Sequence, residues 1–143
     1  MTRLLRLAAI TTTLGLLLLG CMSRDNNASK PGKVNPSNAA ESDTMKRTLA
    51  ALPGVLRVDG GYTRNIEDPG SVGLGITVRH GTSLEPLATA AIKAVWLSKL
   101  SPCAGVTVTV GTEDNPPTSI TRDAHFDLSK DELTKLYGPR PTS

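Results

Sequence analysis

Apolar positions fall into three regimes along the chain. From Leu7 to Gly20 they form a nearly continuous run of 14 residues, short of the roughly 20 that a bilayer span needs. Met22 to Ala40 has no apolar period and is rich in Ser, Asn, Pro, Gly and Ala, which predicts a disordered tether. Beyond it, helical and extended periods alternate. Thr44–Leu52 sets Met45, Leu49 and Leu52 on one helical face and ends at Pro53-Gly54. Val55–Thr63 and Val72–His80 read as strands, and in the second Val72, Leu74, Ile76 and Val78 alternate with Gly73, Gly75, Thr77 and Arg79. Thr82-Ser-Leu-Glu85 has the form of a capping box. It precedes a continuous stripe of Leu84, Leu87, Ala88, Ala91, Ile92, Val95 and Trp96. Val106, Val108 and Val110 alternate with threonines, and Ser119–Phe126 gives a fourth strand. Ser129-Lys-Asp-Glu132 repeats the capping-box form, with Leu128 and Leu133 placed as a hydrophobic staple.

The order helix, strand, strand thus occurs twice, followed by a last helix. The halves align as Met45–Asn65 on Ile92–Asn115, with Gly-Tyr-Thr-Arg-Asn matching Gly-Thr-Glu-Asp-Asn. The pattern predicts an α+β two-layer sandwich of duplicated α-β-β units. Cyclically its order is that of the ferredoxin-like fold begun from its first helix. A four-stranded antiparallel sheet with both main helices on one face is expected, strand four lying beside strand two. Matching apolar to apolar sets Val58 opposite Val78, Tyr62 opposite Leu74 and Val106 opposite Phe126. The same register sets Arg57 opposite Arg79, a like-charge pair of which Asp123 on strand four is placed to neutralise Arg79 and leave Arg57 available.

Charge changes the picture only by where it lies. The chain carries 16 basic and 13 acidic residues, yet Arg3 and Arg6 precede the apolar run and Arg24, Lys30 and Lys33 lie in the tether. Residues 41–143 hold 11 bases against 12 acids, so the folded part is not basic. Its aromatics, Tyr62, Trp96, Phe126 and Tyr137, are too few for a base-stacking platform. No nucleic-acid partner is expected.

The amino terminus has the form of a bacterial lipoprotein signal. A basic n-region and a short apolar run end in Leu18-Leu19-Gly20-Cys21, which resembles a lipobox. The resemblance implies cleavage between Gly20 and Cys21, a diacylglyceryl thioether on Cys21, and anchorage in the cell membrane on its extracytoplasmic side. Residues 1–20 are then the signal peptide, 21–40 the lipidated cysteine and tether, and 41–143 the domain. Two acyl chains hold a bilayer stably where one does not.

Chemistry is sparse. The chain has no GxSxG, HExxH, CxxC, phosphate loop or dinucleotide fingerprint. His80 and His125 lie at strand ends without further ligands at metal spacing, and no metal or cofactor is expected. Asp123, His125 and Asp127 alternate as on an outer strand face, with no nucleophile beside them, so catalysis is not expected. Cys103, between Pro102 and Ala104, reads as a buried small hydrophobe, and Trp96 as a core residue. Arg57, Arg79, Asp123 and His125 are the candidate partner-facing residues.

Leu52-Pro-Gly-Val55, Tyr62 before a loop, Val95-Trp96-Leu-Ser98 and Tyr137-Gly-Pro-Arg-Pro141 make the chain similar to a group of small actinobacterial lipoproteins. The resemblance implies an envelope location and the two-layer fold. Two functions are expected from these readings. One is a monomeric, non-catalytic module that binds an envelope protein through its sheet. The other is a small-ligand carrier or accessory subunit with a pocket between helices and sheet.

Overall fold

A computed structural model describes residues 35–142 except residue 66. The signal segment, Gly20, Cys21 and the tether as far as residue 34 lie outside the described residues. The elements run α1 Pro36–Ala50, β1 Val55–Thr63, β2 Ser71–Val78, α2 Leu84–Trp96, β3 Gly105–Thr112, β4 Ser119–His125 and α3 Lys130–Tyr137. This is an α+β fold of three helices and one four-stranded sheet.

The first helix starts eight residues earlier than its apolar face suggested, so residues 36–40 belong to it and not to the tether. Its start is set by Asn35, whose Oδ1 accepts from Ser37 N–H at 3.0 Å with Pro36 in the first turn, as N-cap and N1 preferences dictate. This early part is held by polar groups. Asn38 Nδ2 donates to Ser101 O at 2.9 Å, and Ser42 Oγ accepts from Tyr62 N–H at 3.1 Å.

The sheet order is β1-β2-β3-β4, with both hairpins antiparallel but β2 and β3 parallel. The expected all-antiparallel, permuted ferredoxin-like arrangement is therefore not adopted: the sheet is mixed, and β4 sits at an edge beside β3. Strand composition explains the choice. Val72, Leu74, Ile76, Val78, Val106, Val108 and Val110 are all at most 4% exposed, so β2 and β3 are the strands that belong at the centre. Arg122 has the parity of the helix-facing residues of β4. From an edge its guanidinium reaches Glu85 at 2.7 Å with 47% of its side chain exposed, whereas a central strand would bury it.

Both hairpins also pair two residues away from the expected register. Val58 opposes Ile76, Tyr62 opposes Val72, and Val106 opposes Ala124. A shift of two leaves every side chain on its face. The first loop sets its register through its own side chains. Asn65 Oδ1 accepts from the amides of residues 67 and 68, and Asp68 Oδ1 accepts from Gly70 N–H.

One core fills the space between helices and sheet. Met45 and Leu49 of α1, Leu87, Ala88, Ala91, Val95 and Trp96 of α2, and Leu133 of α3 meet the apolar sheet face. Trp96 and Phe126 pack edge to face with centroids 5.4 Å apart. The capping boxes do not form. Ser83 is the N-cap of α2 and bonds no amide: the third residue after it is Pro86, which has no N–H to offer, and Glu85 is drawn to Arg122. At α3 the Ser129 amide already donates to His125 O at 2.9 Å, and Leu128 is 86% exposed, so neither box nor staple closes.

The motifs Val95-Trp96-Leu-Ser98 and Tyr137-Gly-Pro-Arg-Pro141 converge in a carboxy-terminal latch. Trp96 Nε1 donates to Gly138 O at 2.9 Å. Arg140 donates to Cys103 O at 2.8 Å and Leu100 O at 3.0 Å while lying over Phe126, 4.8 Å from its centroid.

Candidate functional site

The sheet face opposite the helices is built from the alternate residues of each strand. It presents Ser71, Gly73, Gly75 and Thr77 from β2, Thr107 and Thr109 from β3, and Thr121, Asp123 and His125 from β4. Cross-strand neighbours are bonded through their side chains. Thr107 Oγ1 donates to Asp123 Oδ1 at 2.6 Å, and the hydroxyls of Thr109 and Thr121 lie 3.0 Å apart.

Toward the starts of β2 and β3 this face sinks into a trough of about 530 Å³. Its lining includes Gly73, Gly105, Ser71, Thr107, Asp68, Asp123 and His125. Glycine makes the depression: a Cβ built on Gly73 meets nothing within 4 Å, so that position opens to solvent. Gly105 is required for another reason, since a Cβ there would come 2.5 Å from Ala124 O. Asp68 at the loop end of the trough is tied down, its Oδ2 accepting from Ser71 Oγ at 2.8 Å.

Of the four candidate partner-facing residues, the structure brings together Asp123 and His125. Arg57 lies at the far end of β1, opposite Thr77, with Asp59 at 2.7 Å as its counter-charge. The expected facing of Arg57 and Arg79 does not occur, because the two-residue shift of the hairpin sets Arg57 opposite Thr77. Arg79 lies past β2, its amide donating to Gly54 O at 2.9 Å. Asp123, two strands from β2, does not serve it. Asp127 also leaves the outer face: β4 ends at His125, and Asp127 lines a second cavity of about 590 Å³ with Arg140 and Cys103.

Gly73, Asp68 and Thr107 were missed as site residues. The alternation of glycine and threonine with valine across β2 and β3 held that signal, since two adjoining strands with short outward side chains leave a hollow.

His80 Nδ1 stands 3.1 Å from Asp114 Oδ1 on the surface. The Asp114 carboxyl is held below its usual range first by Thr112, then by His80. Cys103 is 6% exposed, and burial pushes its thiol up against the opposing pull of Arg140. Among the described residues no three His, Cys, Asp or Glu side chains cluster as metal ligands would. No described helix is long and apolar enough to cross a membrane. In the trough the hydroxyls of Ser71 and Thr107 are engaged by the carboxylates of Asp68 and Asp123.

The fold and this face define the chain as a small two-layer α+β domain with an open, glycine-floored sheet surface. No protein-family model, curated protein or solved structure matches it.

Proposed function

We propose that this protein is a lipid-anchored module of the cell envelope that binds a partner through the helix-free face of its sheet. The anchor is Cys21, whose sulfur takes the diacylglyceryl group before cleavage between Gly20 and Cys21. The domain follows on its tether on the extracytoplasmic side. The single observation that carries the binding role is the trough, a preformed hollow in which Ser71 is bonded to Asp68 and Thr107 to Asp123 across the strands. A carrier pocket between helices and sheet is less well supported, because that interface is occupied by the core. The resemblance to small actinobacterial lipoproteins fits the same location.

Two experiments test the halves separately. Fatty-acid analogue labelling followed by detergent partitioning should mark the wild type and not Cys21→Ala; equal labelling of both removes the anchor. A photo-crosslinking residue at Thr109, on the outer face, should yield a discrete adduct in intact membranes, while one at Arg47 on α1 should not. Identical products from both positions remove the binding face.

A further inference from the structure

We propose that β4 is a docking edge for an extended, basic polypeptide segment whose Lys or Arg side chains reach the rim of the trough. This rests on the binding-module reading and adds the chemistry of the partner. The edge comes first. Thr112 N–H donates to Thr118 O at 2.9 Å and Phe126 N–H to Ala104 O at 2.8 Å. With Val106 opposite Ala124 and Val108 opposite Arg122, the even-numbered residues of β4 bond to β3, since antiparallel ladders alternate. Thr121, Asp123 and His125 therefore turn their main-chain groups outward.

Two of those carbonyls are occupied. Arg122 Nη1 holds Thr121 O at 2.8 Å, and Ser129 N–H holds His125 O at 2.9 Å. Three amides and the Asp123 carbonyl are left as a short ladder. The opposite margin of the sheet differs, since α1 lies against β1 and Ser42 takes up the outward amide of Tyr62.

Face and charge select the occupant. Residues directly opposed in an antiparallel pair point to the same face. A strand bonded to Asp123 therefore sets its facing side chains on the outer surface, beside the trough. The trough is lined by Asp68 and Asp123 and by no Lys or Arg. Asp123 Oδ1 is engaged by Thr107, while its Oδ2 has no hydrogen-bond partner among the described residues. A Lys or Arg opposite Asp123 on such a strand lies one strand spacing away, about 5 Å, and its head reaches that oxygen at the rim of the trough. Main-chain bonds give such a complex its affinity, and alternate side chains give it specificity.

The test uses the full-length protein in an uncharged detergent and a fluorescent peptide of alternating Thr and Lys, with a Thr–Glu peptide beside it. Anisotropy should show binding of the Lys peptide alone, weakening as salt rises. Thr121→Pro removes one outward amide and should weaken binding by about ten-fold or more. Its thermal midpoint should hold, because that amide has no partner in the sheet and proline is tolerated on an edge strand. Asp123→Asn keeps an acceptor for Thr107 and should weaken binding about five-fold. Hydrogen exchange of the Thr121, Asp123 and His125 amides should slow in the complex.

Equal affinity for both peptides, protection at β1 instead of β4, or unaltered binding by Thr121→Pro would each overturn the proposal. If the Lys peptide does not bind while Thr109 still gives its adduct, the basic-strand inference falls and the binding-module reading stands. If both fail, both fall.

Discussion

Replacing Arg140 by Ala removes the clasp of the carboxy-terminal latch. Its guanidinium donates to two carbonyls, of Cys103 at 2.8 Å and Leu100 at 3.0 Å, and lies over the rings of Phe126 and Trp96 at 4.8 and 5.8 Å. Hydrogen bonds from a charged donor contribute about 1.5–3 kcal/mol each, and each cation–π contact about 0.5–1 kcal/mol near a surface. Arg140 is only half-buried, and the freed carbonyls border a water-accessible cavity. Hydration therefore recovers part of the loss, and a cost of about 2–4 kcal/mol is expected for Arg140→Ala. At about 4–8 °C per kcal/mol for a domain near 100 residues, the midpoint should fall by roughly 8–32 °C. Urea unfolding followed by the fluorescence of Trp96, the sole tryptophan, reads this directly, because its indole is bonded to Gly138 in the same latch. Arg140→Lys keeps the charge but cannot span two carbonyls with a planar fork, so it should restore less than half of the loss. A cost below about 1 kcal/mol for Arg140→Ala, or full rescue by Lys, would refute the reasoning.

Burial raises both the Cys103 thiol and the Tyr62 phenol above their ordinary values. The unfolded chain therefore ionises first, and stability present below pH about 9 is lost as pH climbs further. The urea midpoint should drop between pH 8 and 10.5 and drop less in Tyr62→Phe; a flat profile contradicts this. Asn38→Ala unties α1 from Ser101 and should cost about 1–3 kcal/mol, with hydrogen exchange loosened first at the amino-terminal turns of α1; uniform loosening would show that this end is not separately held. Glu85→Gln breaks an exposed pair with Arg122 and should change stability by about 0–1 kcal/mol; a loss above about 2 kcal/mol would mean that the edge position of β4 depends on that bridge.

Periodicity disclosed the elements because each buries one face. The stripe of α2 and the alternation of β2 are strong signals, and the structure places their apolar members in the core. The start of α1 was hidden by the same logic. Its docking residues, Asn38 and Ser42, are buried yet polar, so the apolar period begins only at Met45. The readable signal was Asn35-Pro36, an N-cap followed by a helix-compatible proline. The capping boxes failed for an equally local reason: Pro86 removes an amide, and β4 supplies the acceptor for Ser129.

Which strand lies beside which is a different kind of information. Parity assigns a residue to a face, and within β2, β3 and β4 it does so correctly even though each hairpin slipped by two residues, while Arg79 and Asp127 fall beyond the strand ends. Parity does not distinguish a central strand from an edge, and that distinction decides the site. With β4 beside β2, Asp123 would face Arg79 in the middle of the sheet as one half of a neutralised pair. With β4 at the margin, the same carboxylate is left with one oxygen open at the rim of the trough, and the strand that carries it keeps unpaired amides. The deciding residue was Arg122: a guanidinium on the helix-facing side of a strand needs a margin from which to reach water and Glu85. A charged residue at a core-facing position is therefore the sequence mark of the edge, and here the edge leaves Asp123 and His125 exposed at the margin of the sheet.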